Sequence, residues 1–250
     1  MVVCVIHAGG KGEKFLPLTL TTPKPLIEIG IEKKPLIYWS MLPAISYGIK
    51  KFVITTNYLS EKIEEYFKRE EWKDFEIVIY REKEKLGSAG ATKYCIEEGI
   101  LDKKETVIMQ NASDITRNFI AELLKYHKKQ EEKGFELTIV CAERCVIPSS
   151  KVEYNIKTGK ALSLKRKPIH VWAKGSASHT GSFVFSPKAL EKFENVKIPS
   201  NPEDSIVQDL IEEGKACVYV TDTWIPIKYY SDIEEANKID LREFILGRQG

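Results

Sequence analysis

Between Gly9 and Lys14, just after the first apolar run, stand three glycines and two lysines, in "GGKGEK". Glycines at 9, 10 and 12 permit positive φ and close backbone approach. Successive N–H groups in such a turn form a nest for an anion, and Lys11 and Lys14 add positive charge. A plain tight turn after a strand is the alternative. The stretch lacks the G-x-x-x-x-G-K-S/T pattern of a P-loop, and Phe15 stands where a dinucleotide fingerprint needs its third glycine. Ten residues on, "TTPKPL" sets Lys24 between two prolines. Each proline drives the residue before it towards extended backbone, so this lysine is stiffened as a catalytic cation should be. It could also be a solvated lysine in a polyproline-like turn. Asp114 follows the apolar "VIMQNAS", where a carboxylate suits a Mg²⁺ ligand or a helix N-cap. "EKLGSAGA" places Gly87 and Gly90 among small residues, where a flat base could slide against the backbone.

Elements that could position these residues alternate along the first half. "VVCVIHA", "KFVITTNY", "FEIVIYRE", "ETVIMQNASD" and "FELTIVCAE" read as strands, several of them continuous apolar runs of the kind buried in parallel sheets. Between them come helical segments. One ends at Gly48, and one opens at Ser60 as a cap and carries Ile63, Tyr66 and Phe67 at helical spacing. Another is entered from a loop within "GSAGATKYCIEEG", and one closes at Gly134. The order predicts an α/β fold, a parallel sheet with helices on both faces. Ligands in such sheets sit beyond the carboxyl ends of the strands, where His7–Gly10, Glu82–Gly90 and Asn111–Asp114 all fall. The segment from Gly9 to about Lys34 is far longer than an ordinary ~2–6-residue connection, and loops of that kind usually bind something.

The second half changes style. A hairpin is expected over "VEYNIKTGKALSLKRKP" with Thr158-Gly159 in its turn. A strand and short helix follow in "SHTGSFVFSPKALEKF". A helix closes at Gly214, a strand spans "KACVYVTDTWIPI", and one terminal helix runs through "SDIEEANKIDLREFIL" with Ser231 as its cap. With no linker or repeat, residues 1–250 read as a single domain. Residues 1–145 read as one half and 146–250 as a β elaboration giving the binding crevice a second wall.

Composition narrows the class. The net charge of +2 gives no reason to expect nucleic-acid or membrane partners, and no apolar run approaches the ~18 residues of a membrane span. Five cysteines, an odd number without a C-x-x-C pair, fit a reducing cytoplasm better than disulfides or zinc. Cys4, Cys141 and Cys217 lie in apolar runs as small buried hydrophobes.

Taken together, the motifs resemble those of the sugar-1-phosphate nucleotidyltransferases. That family opens with A-G-G-x-G-S/T-R-L/F-x-P-L-T, followed by P-K-P-L/M and K-P-L/I. Here the chain reads "AGGKGEKFLPLT", "PKPL" and "KPLI". The family's L-G-T-A-G-A is "LGSAGA", its G-D is Ser113-Asp114, its E-K-P is "RKP" at 166–168, and its N-A-G-x-Y/F is "HTGSF" at 179–183. The resemblance implies a Rossmann-like, three-layer, mixed and mostly parallel sheet with a substrate-binding β elaboration. It implies Mg²⁺-dependent transfer of a nucleotidyl group from an NTP to a sugar 1-phosphate, with pyrophosphate released. Lys14, Lys24 and Asp114 would be catalytic, and Asp114 would hold the metal. Ala8, Gly9, Gly10, Lys11, Gly12, Glu82 and Gly87 would bind nucleotide. Arg166, Lys167, His179, Gly181, Glu203 and Lys228 would line the acceptor side. Self-association into a homo-oligomer is left open.

The departures lie mostly on the acceptor side. Lys14 replaces an arginine and forfeits bidentate phosphate gripping while keeping the charge. The W-x-D-I/V-G segment, which carries a second metal carboxylate in the family, is "WIPIK", with Pro226 at the acid and Lys228 at the glycine. Arg166 and His179 replace sugar-gripping Glu and Asn. Two expectations follow. The surplus of positive charge calls either for an acidic acceptor or for internal partners such as Glu203 or Asp222. The lost carboxylate admits a second reading, a family member that binds nucleotide and regulates a partner.

Overall fold

The computed structural model describes residues 1–117, 119–143, 151–165, 176–221 and 223–247. The chain forms two compact units, each assembled from separate stretches of sequence. The first comprises Val3–Lys85, Gln110–Ile120 and Ile225–Gly250, and the second Met1–Val2, Leu86–Met109 and Ala121–Trp224.

In the first unit the strands Val2–His7, Lys51–Thr56 and Glu76–Arg81 pair in parallel, with Cys4 opposite Phe52, His7 opposite Thr55, and Thr56 opposite Arg81. The apolar runs of the first two are buried, as in a sheet covered on both faces, while those of Glu76–Arg81 are half-buried. The helix Leu36–Tyr47 starts behind Pro35 and stops at Gly48, whose left-handed φ of 99° lets its N–H reach back to Ala44 O and Ile45 O. The long segment after Gly9 has no helical or strand period because it folds as three short 3-10 turns, Glu13–Phe15, Leu18–Leu20 and Lys24–Leu26. A small hairpin follows, pairing Glu28–Ile29 with Lys34–Pro35. Trp39 pins that hairpin, its indole N–H donating to Ile29 O (3.1 Å) and Lys34 O (3.0 Å). Phe15, Ile29, Trp39, Ile115, Ile227 and Leu241 share one core cluster, so the loop, the helix and the C-terminal segment are packed as one body. Burial of each of these large side chains is worth ~1.5–3 kcal/mol.

In the second unit, Leu137–Ala142 pairs antiparallel with Ser176–Phe185 and parallel with Ala216–Thr221, so Ile139 lies between Phe183 and Val218. The expected hairpin is present as Lys151–Tyr154 against Ala161–Lys165. Asn155 Oδ1 accepts the N–H groups of Lys157 and Thr158, and Gly159 turns the corner at φ 71°.

Several local expectations are corrected. Ser60 caps no helix: its hydroxyl donates to Asn57 O (2.8 Å), and Leu59 at φ 50° makes the turn into Ser60–Phe67. The terminal helix is two, Tyr230–Ala236 and Leu241–Leu246. The break comes where Asp240 caps the second, accepting the N–H of Glu243 at 2.9 Å. The strand expected through residue 227 is two, Ala216–Thr221 and Trp224–Pro226, the second pairing with Asp114–Thr116 in a separate two-stranded sheet. Cys4, Cys95, Cys141 and Cys217 are free and buried, while Cys145 lies outside the described residues. Among the described residues no helix is long and apolar enough to cross a membrane.

One buried histidine gives a pH prediction. His127 is 2% exposed, shares a 2.8 Å hydrogen bond with Thr138 Oγ1, and is pulled down to about 4 by burial. Between pH 6.5 and 4 the unfolded chain takes up a proton there that the folded chain does not. Stability therefore falls as pH drops through that window, by up to ~1.4 kcal/mol per pH unit. Urea unfolding across the window should show a shallower pH slope for His127→Gln than for wild type. Equal slopes would exclude this origin.

A candidate phosphate-binding site

The first strand delivers the chain to Ala8, whose N–H donates to Thr55 O (2.8 Å), and to the glycines beyond it. Gly9 is bare of necessity. A Cβ there would lie 3.0 Å from Glu82 Oε1 and 3.1 Å from Asn57 N, because three strand ends meet at this point. Asn57 Nδ2 donates to Glu82 O (3.0 Å) and ties two of them. Gly10 has open space beside it. Gly12, at φ 65°, packs so that a Cβ would sit 2.9 Å from Thr19 Cγ2 and 3.0 Å from Lys24 Cβ. Its missing side chain is thus what brings Lys24 against the loop. Thr19 Oγ1 donates to Gly12 O (3.0 Å) and Tyr58 OH to Thr19 O (2.8 Å), holding the two arms of the loop together. Lys11 and Lys14 are exposed along its edge.

Lys24 is half-buried between the buried Pro23 and Pro25, with Nζ 5.1 Å from the Phe15 ring centroid. Burial pulls it down to about 8; Lys228 and Lys14 push the same way, and Asp114 and Asp232 oppose them. Three lysines and two aspartates therefore feel one another at a single place. An anion entering there would relieve the repulsion among the lysines.

Asp114 is placed by its own short turn. Asn111 ends one strand, Ala112 N–H donates to His7 O (3.1 Å), and Asn111 Nδ2 donates to Asp114 Oδ2 (3.0 Å). Asp114 opens the short strand Asp114–Thr116, so it caps no helix; the next one begins at Ile120. Ile227 N–H donates to Ser113 O (3.2 Å), which lays the Pro226–Lys228 segment alongside. Asp232 Oδ2 then accepts both Lys228 N–H (2.6 Å) and Tyr229 N–H (2.7 Å). His7 shares a 2.8 Å hydrogen bond with Thr55 Oγ1 and is pulled down to about 4 by burial, so it is a neutral, packed histidine.

Of the residues expected from sequence, Lys14, Lys24, Asp114 and Lys228 are brought together beside the glycine loop, with Glu82 against Gly9. The sequence reading missed Asp232, Tyr229 and Tyr230. Asp232 had a weak signal, an acid three residues after Tyr229 at a helix start, where its carboxylate can reach back to cap. The remaining expected residues belong to the second unit. Gly87, at φ 73°, has an internal reason to be glycine: a Cβ would come within 2.2 Å of Ser200 O. That carbonyl accepts the N–H groups of Ala89 (3.0 Å) and Gly90 (3.3 Å). Gly181 bends its strand at φ 86°, next to the register shift between His179 and Ser182. His179 is buried against Phe183, with Nδ1 3.8 Å from Glu203 Oε1, so this residue expected on the acceptor side has an acid beside it within its own unit. Arg166, Lys167 and Asp222 lie outside the described residues.

Among the described residues no three His, Cys, Asp or Glu side chains are grouped to hold a metal by themselves. Mg²⁺ does not require that. It is commonly held by one or two carboxylates together with substrate phosphates and water, and Asp114, steadied by Asn111, suits that role.

Residues 3–242 match the sequence profile of the nucleotidyl transferase family. The mannose-1-phosphate guanylyltransferase catalytic subunit beta of Danio rerio is 30% identical over 217 residues, covering 84% of this chain and 56% of that one. The chain thus spans about half the length of that relative. A Bacillus subtilis (strain 168) protein named "Probable glucose-1-phosphate cytidylyltransferase" is 28% identical, with 94% of each chain covered. A solved Bacillus anthracis structure, provisionally named a glucose-1-phosphate thymidylyltransferase and holding a sucrose, superposes with a TM-score of 0.81 at 18% identity. It covers 100% of this chain and 98% of that one. That likeness bears on the fold alone, which is mixed α/β and Rossmann-like with a mostly parallel central sheet.

Proposed function

The chain belongs to the nucleotidyl transferase family, and from that premise we propose that it transfers a nucleotidyl group from a nucleoside triphosphate to a sugar 1-phosphate. The observation that carries this reading is the convergence of Lys14, Lys24 and Lys228 with Asp114 and Asp232 beside a glycine loop. Three cations at an open, N–H-rich turn suit a polyphosphate. In the reaction an oxygen of the sugar phosphate forms a new bond to the α-phosphorus. The bond to the β-phosphate bridging oxygen breaks, and pyrophosphate leaves with the electron pair. Such chemistry asks the protein for positioning and charge neutralisation above all. The glycine loop cradles the triphosphate, Glu82 takes part in nucleotide binding, Gly87 meets the base, and Lys14 and Lys24 neutralise the phosphates. Asp114 holds Mg²⁺, which supplies further neutralisation when bound. The acceptor is met by Arg166, Lys167, His179, Gly181, Glu203 and Lys228. Four buried free thiols suit work in the cytoplasm.

Relatives differ in base and sugar, so the test is a panel. Pyrophosphate release is measured with GTP, CTP, UTP and dTTP, each with mannose 1-phosphate or glucose 1-phosphate and Mg²⁺, and products are identified by mass. One productive pair supports the reading; no release from any pair overturns it. Pro226, standing where the family carries a second metal carboxylate, favours one alternative, nucleotide binding without turnover in service of a partner. Tight nucleotide binding without pyrophosphate release would establish that instead.

A further inference from the structure

Two adjacent tyrosines at the start of the helix Tyr230–Ala236 reach back to the loop residues Lys14 and Phe15. Lys14 Nζ donates to Tyr229 OH at 3.4 Å and lies 4.6 Å from the Tyr229 ring centroid, so the tyrosine offers both an oxygen and a π-face to one ammonium. Tyr230 OH donates to Phe15 O at 2.7 Å, and the two rings meet at 5.6 Å with a 54° tilt. Phe15 is fully buried, and its ring also meets Lys24, whose Nζ is 5.1 Å from the centroid. Asp232 fixes the backbone of this pair by accepting Tyr229 N–H (2.7 Å) and Lys228 N–H (2.6 Å). Both tyrosines are about two-fifths exposed, 42% and 41%, so core packing does not account for them.

We propose that Tyr229 and Tyr230 are positioning residues for the two loop lysines, Tyr229 holding Lys14 directly and Tyr230 holding Lys24 through Phe15. A free lysine side chain loses much rotamer freedom when it grips a phosphate. A lysine already lying on an aromatic platform has given up part of that freedom beforehand, and binding is strengthened to the same extent. Residues of the pair touch no phosphate in this account. The proposal rests on the phosphate-binding reading of the loop, but not on turnover.

The test is a double-mutant cycle read by calorimetric binding of inorganic tripolyphosphate, a probe independent of base, acceptor and catalysis. Tyr229→Ala should weaken tripolyphosphate about fivefold in the wild-type background, as a solvent-facing cation–π contact warrants. In a Lys14→Ala background the same change should cost less than twofold. Tyr229→Phe, which keeps the π-face, should recover most of the affinity. Tyr230→Phe should weaken binding in the wild type and have no further effect beside Lys24→Met. Equal losses in both backgrounds would overturn the positioning role, as would full affinity in Tyr229→Ala. Melting temperatures within a few degrees of wild type separate these outcomes from misfolding. If coupling is seen while no NTP and sugar-phosphate pair releases pyrophosphate, the proposed reaction fails and the positioning pair stands.

Discussion

Lys24→Met should be almost inactive and more stable than the wild type. Removing one preorganised electrostatic stabiliser typically costs ~10²–10³ in rate. Lys24 is half-buried, and burial already pulls it down to about 8. The sign of the stability effect follows from that depression. Below pH 8 the lysine is charged in both folded and unfolded states, but only the folded state bears the desolvation and the repulsion from Lys14 and Lys228. Between about 8 and 10.5 the folded protein loses the proton first, so this penalty fades as pH rises. At pH 7 a neutral Met of similar length removes it. A gain of ~1 kcal/mol raises the melting temperature of a chain this size by ~2–4 °C. Loss of turnover alongside a higher melting temperature cannot be ascribed to unfolding. In the wild type, kcat/KM should fall above about pH 8 as free Lys24 is deprotonated, and Lys24→Arg should move that limb several units upward. Turnover of Lys24→Met within a few-fold of wild type, or an alkaline limb unmoved in Lys24→Arg, would exclude this role.

Asp114→Asn has the second large expected effect, again on rate rather than on folding. Asn at this position can still accept the Asn111 Nδ2 hydrogen bond through its amide oxygen, so the turn between Asn111 and the short strand should survive. What disappears is the negative charge. Turnover should fall by ~10²–10³, and saturation should need more Mg²⁺. A second readout is specific to this arrangement. Asp114 is the leading group that raises Lys24 against the downward pull of burial. Without it, the alkaline limb of residual kcat/KM should move below pH 8. Activity near wild type would reduce Asp114 to a turn residue, and an unmoved limb would separate it from Lys24.

What the sequence displayed was whatever is encoded locally. Continuous apolar runs announced the strands, the glycines at 9, 10 and 12 announced a special backbone, and Pro23 and Pro25 announced a fixed lysine. Each of those signals is complete within a few residues. Gly87 stands in a small-residue motif that suits a ligand, and the structure adds an internal crossing with Ser200, more than a hundred residues along the chain. No local pattern carries such a contact. Ser60 and Ser231 look like good caps, yet Leu59 at φ 50° and Asp232 take those duties, because tertiary contacts fix where each helix is entered. Tyr229 and Tyr230 are silent in sequence for the same reason. An aromatic pair at a helix start acquires meaning only when Lys14 and Phe15 arrive beside it.

The span between those partners sets a timetable. Lys14 and Tyr229 are 215 positions apart, as are Phe15 and Tyr230. During synthesis the glycine loop leaves the ribosome 215 positions ahead of its tyrosines. At ~5–20 residues per second the loop waits ~10–40 s for them. Ile227 and Leu241, which close the cluster around Phe15, arrive equally late. Over that interval a nascent chain carries the candidate site incomplete, and the loop is fully packed only when the segment holding Ile227, Tyr229, Tyr230 and Leu241 closes onto it.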